Sequence, residues 1–457
     1  MEQHIKTKQY LETICSQIRY KKIHDEICGE IENHISDQKE AYKAQGIGDE
    51  AAELKALEQM GDPVIVGTEL DRTHRPKPEW SIIALTALLL FAGIFIRFFS
   101  SPQLLHGLDQ FYRQLFFMAT GMCLIILCYF LDFTFIGKYS KLIFLSLVAS
   151  TILIIIVSRP INGSYTYATC MLLLFPAAFS GIVYSMRNKG YLGLIACGLF
   201  SLLPFAISLY TPSVTSLLLL VLTCLCILTV SVLKGWFGVK KLYGIMLMYL
   251  PAIAVTSALF AGAHTALRRR ILLAFSPSLD STGAGYVGTI TRQLLAGAKF
   301  AGQGALPERF EGIPAPQFLP GINNDFLLTY VIHRFGWLAF IIVAALLSVF
   351  IIRAFIMCTK QKSILAFLVS LAVTMTFTLQ TLFYVVANLG FQLFASLSLP
   401  MISQSNSYLL INMCLVGMLL SVFRTGRFIR DKGASTVRKK SFLKFEDGKL
   451  IIDFNIH

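Results

Sequence analysis

The chain has 457 residues, of which 55% are apolar and only 14% charged, with a formal net charge of +14 and a mean hydropathy of +0.65. A soluble protein of this length needs more charge to cover its surface, so this composition excludes a soluble globular fold and implies that most of the chain faces lipid. The charge is also unevenly placed: residues 1–79 hold 11 basic against 16 acidic side chains, leaving 29 basic against 10 acidic in the remainder. That basic excess falls in short clusters between apolar runs, the pattern of topology signals, and no nucleic-acid partner is expected. Seven of the ten cysteines lie inside apolar runs, where they read as small hydrophobes, and no Cys/His spacing suggests a metal.

In chain order, the first 75 residues are polar and helical in pattern, so no cleavable signal is expected and the first span should act as the insertion signal. Tyr10, Ile14 and Ile18 recur at four-residue steps, as do Ile23, Ile27, Ile31 and Ile35. A third segment places Ala51, Leu54, Leu57 and Met60 on one face. Gly61-Asp62-Pro63 breaks it, with Pro63 suited to the first turn of another short helix. The acidic faces of this bundle read as solvated surface or as a docking face for an unidentified cytoplasmic partner. The head resembles the small cytoplasmic prefix domain that precedes some bacterial permeases, through its Glu/Lys-rich paired helices and its Leu57-Glu58-Gln59-Met60-Gly61-Asp62-Pro63 ending.

Ten apolar runs long enough to span a bilayer, about 20 residues each, follow at 80–99, 113–132, 142–158, 167–185, 190–209, 214–233, 242–262, 326–352, 363–386 and 404–423. The Lys and Arg residues of alternate loops, from Lys138 to Lys362, and the basic tail lie on one side. This predicts N- and C-termini in the cytoplasm. The expected fold is therefore all-α: a polytopic membrane protein with about ten transmembrane helices and a small N-terminal cytoplasmic helical domain. Its divisions are a prefix domain at 1–75, a membrane domain at 80–425 and a basic cytoplasmic tail at 426–457.

One outer loop, 263–325, breaks the pattern by being long, rich in Gly and Pro, and basic on the side where topology disfavours base. Asp325 stands at its end, in Asn323-Asn324-Asp325-Phe326, where partial desolvation suits a general base; the alternative is a helix N-cap. His333 and Arg334 should lie two turns into the eighth span, His333 as a packed histidine and Arg334 facing the bundle interior. Arg268-Arg269-Arg270 suit bidentate contact with phosphate, or equally with ordinary anionic headgroups. Asp280-Ser281-Thr282-Gly283-Ala284-Gly285-Tyr286 reads as a tight turn and not a nucleotide site.

The order of motifs resembles the SEDS proteins (shape, elongation, division and sporulation), which include FtsW and RodA, over the membrane body from about 80 to 425. Arg113-Gln114-Leu115 with Gly121, then Tyr210-Thr211-Pro212-Ser213, carry the first part of the likeness. Arg270-Ile271, Pro277, Asp280, Gly283, Gly285-Tyr286 and Gln293 follow the family's loop pattern. Gly302 and Gly304, Leu319-Pro320, Asp325-Phe326, Asn388-Leu389-Gly390, Leu399-Pro400 and Ile402-Ser403 with Ser407 complete it. Four segments depart from the pattern, the first being the family's Arg-x-Trp, which becomes Asn162-Gly163-Ser164-Tyr165. The family's Gln-Pro-Ser-Glu-x-x-Lys becomes Phe175-Pro176-Ala177-Ala178, losing both Glu and Lys. The Glu-Glu expected after the aspartate becomes His333-Arg334, and a Tyr-Gly-Gly-Ser run becomes Gln404-Ser405-Asn406-Ser407.

The resemblance implies a peptidoglycan glycosyltransferase that polymerises lipid II, serving division, shape or sporulation. Asp325 would be its catalytic carboxylate, and Arg268, Arg269, Arg270, Asp280, Tyr286, Gln293 and Arg334 its substrate-binding residues. A divalent cation, Mg or Mn, would be a possible cofactor, lipid II the substrate, and a class B penicillin-binding protein the partner in the membrane. Arg334 is a conceivable substitute for the missing lysine beside Asp325. Two rival readings stand beside the enzyme: a catalytically weak paralogue that scaffolds a cell-wall synthase, and a transporter of lipid-linked precursors.

Overall fold

The computed structural model describes residues 3–21, 24–100, 104–160, 165–262, 264–313, 315–322, 324–393, 397–403, 405–426, 443–446 and 449–452. Four helices form the head: α1 (Gln3–Gln17), α2 (His24–Ala44), α3 (Asp49–Met60) and α4 (Pro63–His74). Their shared core is the isoleucine ladder, with Ile14, Ile18, Ile27, Ile31 and Ile35 buried around Tyr10 and Ala56. The Ile23 position lies outside the described residues. Asp62 caps α4 by accepting from the Val64 amide at 2.7 Å, with Pro63 in the first turn. Cys15 of α1 and Cys28 of α2 are joined as a disulfide, a pairing not anticipated from their spacing.

The inward face of α3 is half the expected one: Leu57 and Met60 pack against the core, but Ala51 and Leu54 do not. Ala52, Glu53 and Ala56 are buried while Leu54 is 45% exposed. Polar partners account for the rotation: Glu53 accepts from Thr7 Oγ1 at 2.6 Å and from Lys39 Nζ at 3.1 Å, and Lys39 also pairs with Asp49. A buried carboxylate is tolerated only when so paired. Lys39→Ala should cost the head about 2 kcal/mol by leaving Glu53 short of its cation. Hydrogen exchange should then quicken across residues 3–60 and stay unchanged in the membrane helices; equal protection in the variant would refute this.

The membrane body contains α5 (Trp80–Ser100), α6 (Leu104–Phe130), the short α7 (Thr134–Lys138), α8 (Ser140–Val157), α9 (Thr166–Leu172), α10 (Phe175–Met186), α11 (Gly190–Tyr210) and α12 (Val214–Leu233). It continues with α13 (Lys241–Gly262), α14 (His264–Phe275), α15 (Tyr286–Ala296), α16 (Ala315–Phe318), α17 (Leu327–Phe335), α18 (Trp337–Thr359), α19 (Ile364–Asn388) and α20 (Asn406–Thr425). Among the described residues nine helical stretches are long and apolar enough to cross a membrane, and α13 adds a shorter apolar stretch, Lys241–Val255. The chain is a multi-pass, all-α membrane protein. The tail adds one short hairpin, in which Leu443–Glu446 pairs antiparallel with Lys449–Ile452.

Burial ranks these spans. The α19 span and the α9–α10 pair are 78% buried, against 17% for α6, so the first two form the interior and α6 is mostly turned to lipid. Interior α19 can carry Ser370 and Thr376 because their hydroxyls bond back to the Ala366 and Ala372 carbonyls, at 2.7 and 2.9 Å. Along their shared seam α6 and α20 approach closely, and Cys128 and Cys414 meet with sulfurs 3.6 Å apart. The head touches the body where the Tyr20 hydroxyl reaches Thr425, beside Arg424.

The expected eighth span, 326–352, is not one helix. α17 ends at Gly336, whose φ of 95° is a left-handed conformation open to glycine, and α18 starts afresh. The extended segment before it is laced to the break: Gly302 and Gly304 donate to the carbonyls of Phe335 and His333, and the Trp337 and Leu338 amides donate to Lys299 and Phe300. His333 and Arg334 therefore sit in the last turn of a short helix ahead of the span, not two turns inside it.

Candidate functional site

The described residues of the 263–325 loop carry a core of their own. Ile290 and Leu294 of α15 pack with Phe310, Phe318, Leu319 and Ile322, and the Phe310 and Phe318 rings stack at 4.6 Å. The Tyr286 hydroxyl donates to the Phe318 carbonyl at 3.2 Å, and Gln293 accepts from Arg309 at 2.6 Å. Both residues thus hold the loop together. This core leads directly into the turn that carries Asp325: the Asn324 and Phe326 amides both donate to the Gly321 carbonyl, with Gly321 at φ 70°.

Asp325 is not a cap. The N-cap position of α17 is Phe326, and no side chain caps that helix end. The Asp325 carboxyl keeps a face open to water while protein atoms crowd the rest, and this burial pushes it up to about 6. That direction stands because no described Lys, Arg or His pairs with it to pull it back. Its charge is felt at the phenols of Tyr384 on α19 and Tyr408 on α20, and the Tyr408 hydroxyl in turn bonds the Cys170 thiol. The chemistry open to such a group is proton transfer near neutral pH.

Arg334 does not replace the missing lysine. Its exposed guanidinium bonds Gln303, and it stands nine residues beyond Asp325, about 13 Å of helical rise. His333 is buried at 5% exposure, with Nε2 3.3 Å from the Ala305 carbonyl, the packed histidine expected of it. The place where the family pattern has its lysine, three residues after Ala178, is Gly181, where an added Cβ would lie 2.6 Å from the Ile136 carbonyl.

The three arginines of α14 divide. Arg269 pairs with Asp280 at 2.9 Å, and Asp280 also accepts from the Gly283 and Ala284 amides at 3.1 and 3.2 Å. The Ala284 amide and then Arg269 hold the Asp280 carboxyl below its usual range. Asp280 and Arg269 therefore build the tight turn; all three guanidinium groups stay exposed, and Arg268 and Arg270 are not engaged by Asp280. Among the described residues no three His, Cys, Asp or Glu side chains are grouped to hold a metal ion.

Arg292 was missed by the sequence reading. It donates to the carbonyls of Ala274 at 2.5 Å, Phe275 at 2.7 Å and Gly390 at 3.2 Å, and lies over the Phe391 ring. It thus ties the arginine-bearing α14 to the end of α19. Arg292→Ala should cost about 3 kcal/mol, orphaning three carbonyls, and should speed tryptic cleavage at Arg268 and Arg270. A cleavage rate equal to that of the wild type would remove the tie from the account.

With this geometry in place, the comparisons with known proteins become specific. The model of the cell cycle protein family that is named for FtsW, RodA and SpoVE matches residues 79–427. The chain is a SEDS protein. It is 22% identical over 327 residues, 68% of this chain and 89% of the relative, to a probable peptidoglycan glycosyltransferase FtsW of Buchnera aphidicola. Over 169 residues it is 27% identical to the Enterococcus hirae protein of the same description, covering 37% of this chain and 41% of that one. A solved structure described as the structural coordination of polymerization and crosslinking by a peptidoglycan synthase complex matches with a TM-score of 0.58 and 18% identity. It covers 76% of this chain and 98% of that one. An alanine mutant of the rod shape determining protein RodA of Thermus thermophilus matches over the same shares, with a TM-score of 0.51 and 15% identity. These two likenesses establish the SEDS fold over the body, and the head falls outside the family match.

Proposed function

We propose that this SEDS protein polymerises lipid II into glycan strands at the outer face of the cytoplasmic membrane, with both termini in the cytoplasm. The observation that carries the reading is Asp325: a carboxyl in the turn ahead of α17, outside the helix cap and without an ion-pair partner among the described residues, crowded by protein on one side so that it is raised to about 6. It would accept the proton of the acceptor sugar hydroxyl as that oxygen bonds the anomeric carbon of a second lipid-linked disaccharide. The bond from that carbon to pyrophosphate breaks, and undecaprenyl pyrophosphate leaves with the electron pair. Arg268 and Arg270, exposed and not engaged by Asp280, are the groups suited to the pyrophosphate charge. The description of the FtsW relatives as probable peptidoglycan glycosyltransferases supports the reaction class. The synthase-complex likeness supports a class B penicillin-binding protein as partner in the membrane.

One observation favours the scaffold reading. Gly181 occupies the family's lysine position with no room for a side chain, so Asp325 works without that partner or does not work. The deciding experiment is polymerisation of fluorescent lipid II by the purified full-length protein, alone and with its candidate transpeptidase. Long glycan products that need Asp325 establish the enzyme. Their absence in every pairing, with lipid II still bound, establishes the scaffold.

A further inference from the structure

Asp325 belongs to no helix and makes no ion pair among the described residues, so something else must fix where its carboxylate points. The strongest hydrogen-bonding centre beneath it is the carboxamide of Asn388, at the last turn of α19 and fully buried at 0% exposure. Its Nδ2 donates to the Asp325 carbonyl at 2.8 Å and to the Tyr384 carbonyl at 3.0 Å. Its Oδ1 accepts from the Thr329 amide at 3.0 Å and lies 3.1 Å from Thr329 Oγ1, which also donates to the Asn388 carbonyl at 2.9 Å. Both amide protons of Asn388 are thereby engaged, and its Oδ1 accepts the Thr329 amide. The Tyr384 hydroxyl adds a bond to the Asn324 carbonyl at 2.7 Å.

These bonds grip the backbone on either side of the reacting carboxyl, at Asn324 and Asp325 before it and at Thr329 after it. The contrast within the same protein is Asn412 on α20, equally buried, whose amide has no hydrogen-bond partner among the described residues. The Asn388 network is directed at one short segment. From this geometry we infer that Asn388 is a positioning residue for Asp325. It ties the α17 turn to the interior helix α19, so that the carboxylate is held at a fixed place relative to the membrane body. Gly321 narrows that place from the other side, since an added Cβ there would stand 3.3 Å from Asp325 Cβ and Oδ2. Arg292 secures the Gly390 carbonyl two residues further on, so the end of α19 references both Asp325 and α14.

The inference rests on the glycosyltransferase reading for its kinetic arm, and the test therefore carries a second arm that needs no activity. Full-length protein in nanodiscs is compared as wild type, Asn388→Leu and Thr329→Val. In Asn388→Leu, hydrogen exchange of the amides at 324–329 should speed by about tenfold or more, while residues 364–380 keep their protection. With lipid II as substrate, kcat should fall about a hundredfold, KM should stay within about twofold, and the acid limb of the pH profile should move. Thr329→Val removes only a hydroxyl, folds if the leucine variant does not, and should lose about tenfold in kcat with the same local exchange signature. Exchange that quickens throughout the body, with unchanged kcat per folded molecule, would make Asn388 an ordinary packing residue and overturn the inference. Unchanged exchange at 324–329 would overturn it as well. If wild type makes no polymer, the enzymatic reading fails while the exchange arm still decides whether Asn388 holds the turn.

Discussion

Polymerisation of lipid II should fall about tenfold for each pH unit below about 6 and level off above it. The sign follows from the role: a base acts only when ionised, and burial raises the Asp325 carboxyl to about 6. An ordinary exposed aspartate would keep its activity down to about pH 4. Asp325→Asn keeps the shape and removes the base, and should cost about 10² to 10⁴ in kcat with the acid limb abolished. Folding and lipid II binding should be retained, since no cap and no ion pair among the described residues is lost with the charge. A rate-versus-pH curve for polymer formation is the measurement. An asparagine variant that still polymerises at the wild-type rate would sink the assignment.

The second large effect concerns the missing lysine. Writing it back as Gly181→Lys should unfold the protein and should not improve it. A Cβ added to Gly181 on α10 would meet the Ile136 carbonyl at 2.6 Å, the Ile136 side chain at 2.9 Å and Ser140 Cβ at 3.2 Å. Such close approach of small residues is how membrane helices gain packing contact, and a long side chain there separates the helices. Overpacking of this kind costs about 1–3 kcal/mol or more in a tight interior. The expected result is a lower thermal midpoint and a loss of monodisperse protein in detergent, with Gly181→Ala showing the same change at smaller size. A stable lysine variant with raised activity would mean that the site had kept its ancestral space.

Much of this was legible in the sequence because hydropathy and side-chain period act locally. The isoleucine steps of the head mark buried positions, and the start and end of most spans lie within a few residues of the expected ones. The misreadings have one cause, that the deciding partner is distant in sequence. Nothing in 326–352 marks Gly336 as a break, because the residues on both sides are apolar and the glycine's conformation is set by a strand-like segment that begins at Lys299. Asp325 has the sequence context of a cap, yet the turn closed on Gly321 and held by Asn388 shifts the helix start past it. Arg334 is a conceivable substitute for the missing lysine only while 326–352 is read as one span; the structure instead puts its exposed guanidinium on Gln303. The rotation of α3 likewise depends on Thr7 and Lys39, far from Glu53 in sequence. Arg292 carried no signal of its own, since its three acceptors are backbone carbonyls.

The seam between α6 and α20 has a practical consequence. Cys128 and Cys414 are 286 residues apart in sequence and face each other with sulfurs at 3.6 Å. A mild oxidant or a short thiol-bridging reagent can staple the second span to the last one without any engineered cysteine. The native protein therefore carries its own molecular calliper. Trapping efficiency at this pair, followed through a polymerisation cycle, would report whether those two helices stay in register or part while substrate passes.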